Sequence, residues 1–247
     1  MKTEVKIVSY GGGTNSTAML IGMQQSGIIP DHILFADTGG ERQETYSYID
    51  YFNKWLKSNG MPIIEVVKYH TKDGEQITLE QDIIRNNTLP AIAFGWKTCS
   101  QKFKILPQQR FAKQFKGLII RWYIGYDSGE ARRFKANPEA DQINEFPLIA
   151  WGWDREKCKS IIQSAGLCLP GKSSCFFCPN MKKNEILNLS PEEKEKVKVI
   201  EQNATKVAEL RGLGRRFSWS QLIDADEKAN KLFDDIDLFQ TPCECID

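Results

Sequence analysis

Three consecutive glycines, Gly11–Gly13, stand between a short apolar run and a helical pattern near the start of the chain. Glycine adopts positive φ easily and lets the backbone approach a ligand closely. The N–H groups at a helix start, together with the helix macrodipole, favour a phosphate. Ser16 and Thr17 can add hydroxyl donors. The segment predicts a phosphate-binding turn, and the alternative is an ordinary strand–helix turn capped by Asn15 or Ser16.

Two common phosphate-binding motifs are excluded for this turn. A Walker A loop requires Gly-x-x-x-x-Gly-Lys-Ser/Thr, and no lysine stands at that position. The dinucleotide fingerprint requires a third glycine in Gly-x-Gly-x-x-Gly, which is also missing. A phosphate held here must therefore be bound by another type of loop.

Cysteine spacing indicates a second kind of chemistry. Cys175 and Cys178 form a Cys-x-x-Cys pair, a spacing that suits zinc or an iron–sulfur cluster. A thiolate site usually needs four ligands, and we expect Cys99 to be the third and Cys243 or Cys245 the fourth. An open fourth position would let a sulfide or a substrate bind. The alternatives are a redox-active dithiol and inert buried thiols.

Composition limits the class of protein. The chain has 247 residues, 41% of them hydrophobic, which is enough for one sizeable α/β core. The formal net charge of +1 gives no global attraction for nucleic acid. No apolar run is long enough to span a membrane, so we expect a cytoplasmic protein whose seven cysteines stay reduced. Cys158 and Cys168 are expected to pack as small apolar residues.

Strands and helices alternate along the first two thirds of the chain. Apolar strands are predicted at residues 5–8, 32–36, 62–67 and 118–125. Helices are predicted at residues 16–26, 44–58, 102–115 and 154–165, and from residue 190 toward 209. Residues 71–98 are expected to form a functional loop with a short helix. Apolar strands alternating with helices predict a parallel sheet that is covered on both faces.

The predicted topology brings two polar segments together. Ligands of parallel sheets bind beyond the carboxyl ends of the strands. Gly11–Ser16 and Asp37–Gly40 both follow strands, so we expect them to be neighbours at that edge. We predict a nucleotide-binding domain over residues 1–190, including the Cys-x-x-Cys loop. A helical C-terminal extension with a Cys-x-Cys tail is predicted over residues 191–247.

Six sequence blocks, in order over about residues 5–190, resemble the phosphoadenosine phosphosulfate (PAPS) reductase family. This family belongs to the PP-loop superfamily of N-type ATP pyrophosphatases, and the chain is most similar to its short phage and bacterial members. The blocks are Ser9–Ser16; Phe35–Gly39 with Glu41, Glu44 and Thr45; Cys99 with Lys102 and Lys104 before Pro107; Gly125 with Glu130 and Arg132; Pro147 and Leu148 with Trp151; and the loop of Cys175 and Cys178.

The resemblance implies an adenine nucleotide α-hydrolase-like fold. This is a Rossmann-like, parallel five-stranded sheet with helices on both faces, here followed by the helical C-terminal extension. The implied nucleotide-binding residues are Ser9, Gly11, Gly12, Gly13, Asn15, Ser16, Thr38, Gly39, Lys102, Lys104, Gly125, Arg132 and Arg133. For the four cations the alternative is a solvated basic face.

The implied catalytic residues are Asp37, Cys99, Cys243 and Cys245, and the implied metal ligands are Cys99, Cys175, Cys178 and Cys243. Asp37 at a strand end can equally be a turn residue that bonds its own backbone.

Departures from the family pattern affect the expected chemistry. Gly11 stands where serine is usual, and Asn15 stands where aspartate is usual, which removes a negative charge. Reductases of the family end in a Glu-Cys-Gly-Leu-His type of tail, whereas no glycine or histidine follows Cys245 here. Cys99 is followed by Ser100 rather than by a second cysteine. Both cysteine departures lower the expectation of sulfite production.

Three functions are consistent with these residues. The first is an ATP-binding PP-loop enzyme that cleaves the α–β phosphate bond, adenylates a substrate and delivers sulfur to it. Its implied cofactors are ATP and Mg²⁺ with a thiolate-bound [4Fe-4S] cluster, which we favour over zinc. The second is a sulfonucleotide reductase that uses PAPS, with Cys243 or Cys245 as nucleophile. The third is a non-catalytic nucleotide-binding protein with structural zinc.

Partners other than the nucleotide are expected to be a nucleic-acid acceptor or a sulfur-donor protein, and a homodimer is left open. Aromatic side chains can stack on a base, although we expect them to be core residues first. The tryptophans concerned are Trp96, Trp122, Trp151, Trp153 and Trp219.

Overall fold

The computed structural model describes residues 3–133, 141–204 and 211–237. The chain divides by its contacts into two compact units, each built from two stretches of sequence. Met1–Leu79 and Thr98–Cys175 form the first, here called the sheet unit. Glu80–Lys97 and Phe176–Asp247 form the second, here called the helical unit. The predicted domain boundary after residue 190 stays a prediction, because compact units need not fold independently.

The sheet unit contains a five-stranded sheet in the order β3-β2-β1-β4-β5, and all its neighbouring strands are parallel. The strands are β1 Glu4–Tyr10, β2 His32–Asp37, β3 Ile64–Lys68, β4 Ile119–Ile124 and β5 Gln142–Glu145. In the central register Val8 aligns with Ile33 of β2 and Tyr123 of β4. The predicted fold class is confirmed, and the first four strands coincide with predicted apolar runs.

The fifth strand has no clear sequence signal. β5 reads Gln-Ile-Asn-Glu, and all four positions are half-exposed, as expected for a short edge strand. Polar side chains attach its end to the sheet: Arg121 of β4 donates to Glu4 at 2.7 Å and to Glu145 at 2.6 Å. The edge is therefore held by ion pairs as well as by its backbone ladder.

Both faces of the sheet are covered, as predicted. The helices of the sheet unit are α1 Thr14–Gln25, α2 Gln43–Ser58, α4 Thr98–Ser100, α5 Leu106–Ala112, α6 Pro147–Ala150 and α7 Arg155–Ser164. One face of the sheet, with Val8, Tyr10 and Phe35, forms a cluster with apolar residues of α1, α2 and α7. The other face, with Val5, Ile7 and Leu34, packs with residues of α5 and its flanks. Helix α3, Leu79–Arg85, begins at the last residue of the first stretch of this unit.

Proline breaks the helix that was predicted over residues 102–115. The chain forms α4, a π-helical turn over Gln101–Ile105, α5, and a 3₁₀ turn over Lys113–Phe115. Pro107 has no N–H to donate to the carbonyl four residues earlier, and its ring crowds the preceding turn. The wider π turn lies directly before this proline, which accounts for its position.

The helical unit contains α8 Lys183–Leu187, α9 Pro191–Asn203 and α10 Trp219–Asp237. Ser190 caps α9 in a reciprocal capping box with Glu193, as the Ser-Pro-Glu-Glu sequence predicts. Phe176 and Phe177, the central residues of Cys-x-x-Cys, belong to this unit and are buried. No helix among the described residues is long and apolar enough to cross a membrane.

The carboxylate of Glu201 joins α9 to the start of α10. It accepts hydrogen bonds from the N–H groups of Leu213 at 2.7 Å, Trp219 at 2.9 Å and Ser220 at 2.9 Å. The hydroxyls of Ser218 and Ser220 donate to the same carboxylate, at 2.5 and 2.6 Å. Charged acceptors form stronger hydrogen bonds than neutral ones, so Glu201 is a principal tie within this unit.

We predict that Glu201→Gln lowers the free energy of unfolding by about 2 kcal/mol. The amide keeps the shape of the carboxylate, but its NH₂ group cannot accept a hydrogen bond. The backbone N–H and hydroxyl donors that face this group are therefore left unpaired. Chemical denaturation of full-length protein measures the change. Glu192→Gln on the same helix is the matched control, since Glu192 forms only an exposed pair with Lys196. Equal stabilities for both variants would contradict the assigned role of Glu201.

Candidate active site

The glycine turn connects β1 to α1 at the carboxyl edge of the sheet. Helix α1 begins at Thr14, directly after Gly13, and no side chain caps it. The hydroxyl of Ser16 accepts from the N–H of Gly11 at 3.2 Å and donates to the carbonyl of Gly13 at 3.1 Å. Thr17 donates to the same carbonyl at 3.0 Å. The predicted hydroxyl donors are thus used to shape the turn, and the N–H groups of the first helical turn remain for an anion.

Gly12 cannot be replaced without strain. Its φ of +73° is in the left-handed region, and a Cβ there would be 2.9 Å from Cγ2 of Thr45. It would also be 3.4 Å from the ring of Phe35 on β2. The turn is therefore seated closely on β2 and α2, which makes glycine necessary for both conformation and space.

The chain before the Cys-x-x-Cys pair runs alongside the glycine turn. The hydroxyl of Ser173 donates to the carbonyl of Gly11. A Cβ on Gly13 would be 3.6 Å from Cβ of Ser173, and one on Gly171 would be 2.9 Å from the carboxylate of Glu44. Sequence analysis did not single out Ser173. The polar run directly before Cys175 was its only local signal.

The loop after β2 is organised by Asp37. Its Oδ1 accepts from the N–H of Gly39 at 2.8 Å and from the hydroxyl of Tyr46 at 2.7 Å. Lys68 lies 3.8 Å from Oδ2. Burial, and secondarily the bond to Asp37, raises the pKa of Tyr46, which keeps this phenol protonated. These contacts match the alternative reading of Asp37 as a turn residue that bonds its own backbone. The catalytic role of Asp37 stays a prediction.

Thr38 connects this loop to Cys175. Its hydroxyl accepts from the N–H of Gly40 at 3.3 Å and lies 3.2 Å from Sγ of Cys175. Cys175 also forms an isolated antiparallel bridge with Glu41. The thiol is buried, and it lies at the same edge of the sheet as the glycine turn. Thr38 and Cys175 are thus two predicted site residues that the structure brings together.

Glu41 and Lys104 form an ion pair below this loop. The Nζ of Lys104 is 2.8 Å from Oε1 of Glu41, whose side chain has no exposed surface. Oε2 of Glu41 is buried without a hydrogen-bond partner among the described residues. Lys104 was predicted to bind phosphate, and that role stays a prediction. Burying a carboxylate without a cation costs free energy, so Lys104 stabilises the fold by pairing with Glu41.

The side-chain amide of Asn15 contacts two carboxylates. Its Nδ2 donates to Asp127 at 2.9 Å and to Glu130 at 3.2 Å. Its Oδ1 accepts from Arg155 at 3.2 Å. Asp127 is buried, and both acids follow β4. An amide supplies the donor that two converging carboxylates require, and this explains asparagine at position 15 physically.

The other predicted nucleotide contacts have varied surroundings. The ammonium of Lys102 lies 5.1 Å from the centre of the Tyr69 ring, a cation–π distance. Arg132 is exposed, and the side chain of Arg133 lies outside the description. A Cβ on Gly125 would be 3.0 Å from N and Cα of Ser16, so Gly125 lets the end of β4 approach α1. Ser9 is half-buried on β1.

The cysteines differ in environment. Cys99 and Cys178 are half-buried, Cys175 and Cys158 are buried, and Cys168 is exposed rather than packed as predicted. Burial raises the pKa of Cys158 to about 11, which makes it an unreactive thiol at neutral pH.

Metal ligation needs several donors at one place. Among the described residues, no three histidine, cysteine, aspartate or glutamate side chains are arranged to hold a metal ion. The predicted ligand Cys243 and the predicted nucleophile Cys245 lie outside the described residues. The four-cysteine set therefore stays a prediction.

Comparison with known proteins finds similarity among solved structures. No family model and no curated protein matches the chain. A PAPS reductase from Candida auris, solved as a phosphate complex, is 17% identical, with 69% of this chain and 76% of that chain covered and a TM-score of 0.47. The U34-tRNA thiolase NcsA from Methanococcus maripaludis, solved with its [4Fe-4S] cluster, is 15% identical. That likeness covers 100% of this chain and 77% of that one, with a TM-score of 0.49.

We predict that Lys104→Met lowers the free energy of unfolding by about 2 kcal/mol. The loss leaves the Glu41 carboxylate buried without its cation, and it is smaller than for a fully buried pair because Lys104 is 35% exposed. Urea denaturation measures it, with exposed Lys113→Met as the matched control. The double variant Glu41→Leu/Lys104→Met should regain most of the loss. Unchanged stability together with weaker ATP binding would instead make Lys104 a phosphate ligand.

We predict that Asn15→Asp lowers the free energy of unfolding by about 2 kcal/mol, because a carboxylate that repels Asp127 and Glu130 would replace the amide that donates to both. Asp127→Asn should also be destabilising, since it weakens a charge-assisted bond. The exchange variant Asn15→Asp/Asp127→Asn restores one amide and one carboxylate and should recover at least half of the loss. Strict additivity of the two single effects would refute this pairing.

Proposed function

We propose that the chain binds ATP at the carboxyl edge of its sheet and cleaves the bond between the α- and β-phosphates. The product is an adenylated acceptor to which sulfur is then delivered. The observation that carries the proposal is the glycine turn: Gly12 has positive φ, Gly13 precedes α1 without a side-chain cap, and the first-turn N–H groups have no acceptor within the helix. The six motif blocks support membership in the PAPS reductase-like PP-loop family.

The backbone is the principal anion-binding element in this proposal. Because the hydroxyls of Ser16 and Thr17 are bonded to the turn itself, the pyrophosphate would be held by N–H groups and by the N-terminal end of the α1 dipole. Such donors are fixed before the reaction, so they stabilise the charge that develops on the leaving pyrophosphate without reorganising.

In the proposed reaction an oxygen of the acceptor attacks the α-phosphorus. The bond from that phosphorus to the bridging oxygen breaks, and pyrophosphate leaves with the electron pair. A nucleophile of the sulfide class then attacks the acceptor carbon that carries the adenylate. The bond from this carbon to the adenylate oxygen breaks, and AMP leaves with the electron pair. Mg²⁺ bound with ATP would neutralise phosphate charge, and the carboxylates of Asp127 and Glu130 have the oxygen ligands that it prefers.

Cys175 supplies a thiol at this edge. Thr38 contacts its sulfur, and Ser173, two residues earlier, bonds to the glycine turn. This supports a site where sulfur chemistry and nucleotide chemistry share one edge of the sheet unit. The described donors do not form a complete ligand set, so no step is derived through a metal or cluster. The reductase alternative requires Cys243 or Cys245, which lie outside the described residues, and it stays a prediction.

We predict that Gly12→Ala weakens ATP binding at least tenfold, as measured by calorimetry with Mg²⁺ present. The added Cβ conflicts with Thr45 and displaces the turn that holds the phosphates. Gly27→Ala is the matched control. Gly27 has a similar φ of +69° at the other end of α1, and a Cβ there has no neighbour within 4 Å. Gly27→Ala should cost about 1 kcal/mol of stability and leave binding unchanged.

Release of AMP and pyrophosphate from ATP, with candidate acceptors added, tests the catalytic part of the proposal. Wild-type protein that binds ATP tightly but releases neither product would favour the non-catalytic alternative. Failure of wild-type protein to bind ATP at all would overturn the proposed function.

A further inference from the structure

Two segments of the helical unit combine aromatic and cationic side chains. Residues 91–97 read Ala-Ile-Ala-Phe-Gly-Trp-Lys, and residues 211–217 read Arg-Gly-Leu-Gly-Arg-Arg-Phe. Together they contain four cations, three aromatic residues and no acid. We call these two segments the basic aromatic patch. Its composition contrasts with the chain as a whole, which carries a net charge of only +1.

Arg215 ties the two segments together. Its guanidinium donates to the carbonyl of Ile92 at 2.7 Å, within the 3₁₀ turn Ala91–Phe94. The backbone of Arg215 has a φ of +64°, which is uncommon for a residue other than glycine. The carbonyl of Arg215 also accepts from the N–H of Arg211 at 3.0 Å. The patch is thus one continuous, hydrogen-bonded surface of the helical unit.

The aromatic and cationic groups of the patch face solvent. Trp96 is 69% exposed and Phe94 is 42% exposed, whereas Trp122 and Trp219 are buried. Lys97, Arg211 and Arg216 are exposed as well. Two exposed aromatic rings lie in one patch with cations for which the described residues show no acidic partner, and such a combination is typical of an interaction surface.

The patch stays positively charged when the acid next to it is counted. The carboxylate of Glu201 carries one negative charge and accepts five hydrogen bonds from the chain itself, whereas the patch contains four cations. Lys183 adds a further cation 5.5 Å from the ring of Phe217. The surface therefore offers positive charge for an anionic polymer and a flat ring for a planar group.

We infer that the basic aromatic patch binds single-stranded nucleic acid. A base would stack on Trp96, and Arg211, Arg215 and Arg216 would contact consecutive phosphates. Single strands are bound in this way, since every base has a face to stack and the backbone repeats its charge. An acidic peptide would use the cations but has no need of the exposed ring. This inference goes beyond the proposed ATP chemistry and does not depend on it.

The test is fluorescence anisotropy of a labelled single-stranded RNA or DNA of about 12 nucleotides, titrated with full-length protein without ATP. Binding is expected in the micromolar range at low salt. Three phosphate contacts predict a slope of about −2 in a plot of log affinity against log salt. Quenching of tryptophan fluorescence should accompany binding, because Trp96 is stacked.

Variants separate stacking from charge. Trp96→Leu keeps an apolar side chain without a ring and should weaken binding about tenfold, while Trp96→Phe should retain most of it. Arg211→Gln/Arg216→Gln should make the salt slope shallower by about 1.4. Arg215 is left intact because it supports the fold. The matched control is Lys54→Gln/Lys57→Gln, which removes two exposed cations of α2 and should leave the slope unchanged.

Several outcomes would overturn the inference. They are absence of binding at low salt, equal affinity of Trp96→Leu and wild type, an equal effect of the α2 control, and equal affinity for polyglutamate. The last result would assign the patch to acidic proteins. Circular dichroism of each variant establishes that the fold is retained. If wild-type protein fails to bind ATP, the oligonucleotide result still stands, so the two proposals can fail separately.

Discussion

Close packing around α1 is the constraint on which the rest of the sheet unit depends. A Cβ would be 2.9 Å from Thr45 at Gly12, 2.6 Å from the Trp151 ring at Gly22, and 3.0 Å from Ser16 at Gly125. The helix is buried on nearly all sides, so its position cannot adjust to a larger neighbour. Because the glycine turn continues directly into α1, this packing fixes the first-turn N–H groups at the carboxyl edge of the sheet.

Side chains at this edge are mostly committed to one another. Ser16 shapes the glycine turn, Asp37 holds its own loop, and Lys104 neutralises Glu41. A residue type that suits phosphate binding is thus no proof of that use, since buried polar groups need partners before any ligand arrives. The N–H of Gly11 is bonded to Ser16, whereas the N–H groups at the start of α1 have no acceptor within the helix. Under the proposed function, main-chain groups rather than the predicted side chains would hold the anion.

Local patterns in the sequence were sufficient for the parts of the fold that rest on local physics. Apolar runs predicted β1, β2 and β4, and the Ser-Pro-Glu-Glu signal predicted the start of α9. β5 was missed because an edge strand of four residues needs no apolar alternation. The Glu41–Lys104 pair spans 63 residues and the Asn15–Asp127 bond spans 112. Such pairs depend on the tertiary fold, and no spacing rule reveals them.

Asparagine at position 15 illustrates how a neutral side chain can organise the charges around it. The sequence alone indicated that the turn had lost a negative charge. In the structure Asn15 lies against Asp127 and Glu130, so two carboxylates from the segment after β4 stand beside the turn. A third carboxylate would repel both, whereas the amide binds both and also accepts from Arg155. Negative charge is therefore present at this edge, and a neutral residue at position 15 is no argument against cation-assisted chemistry there.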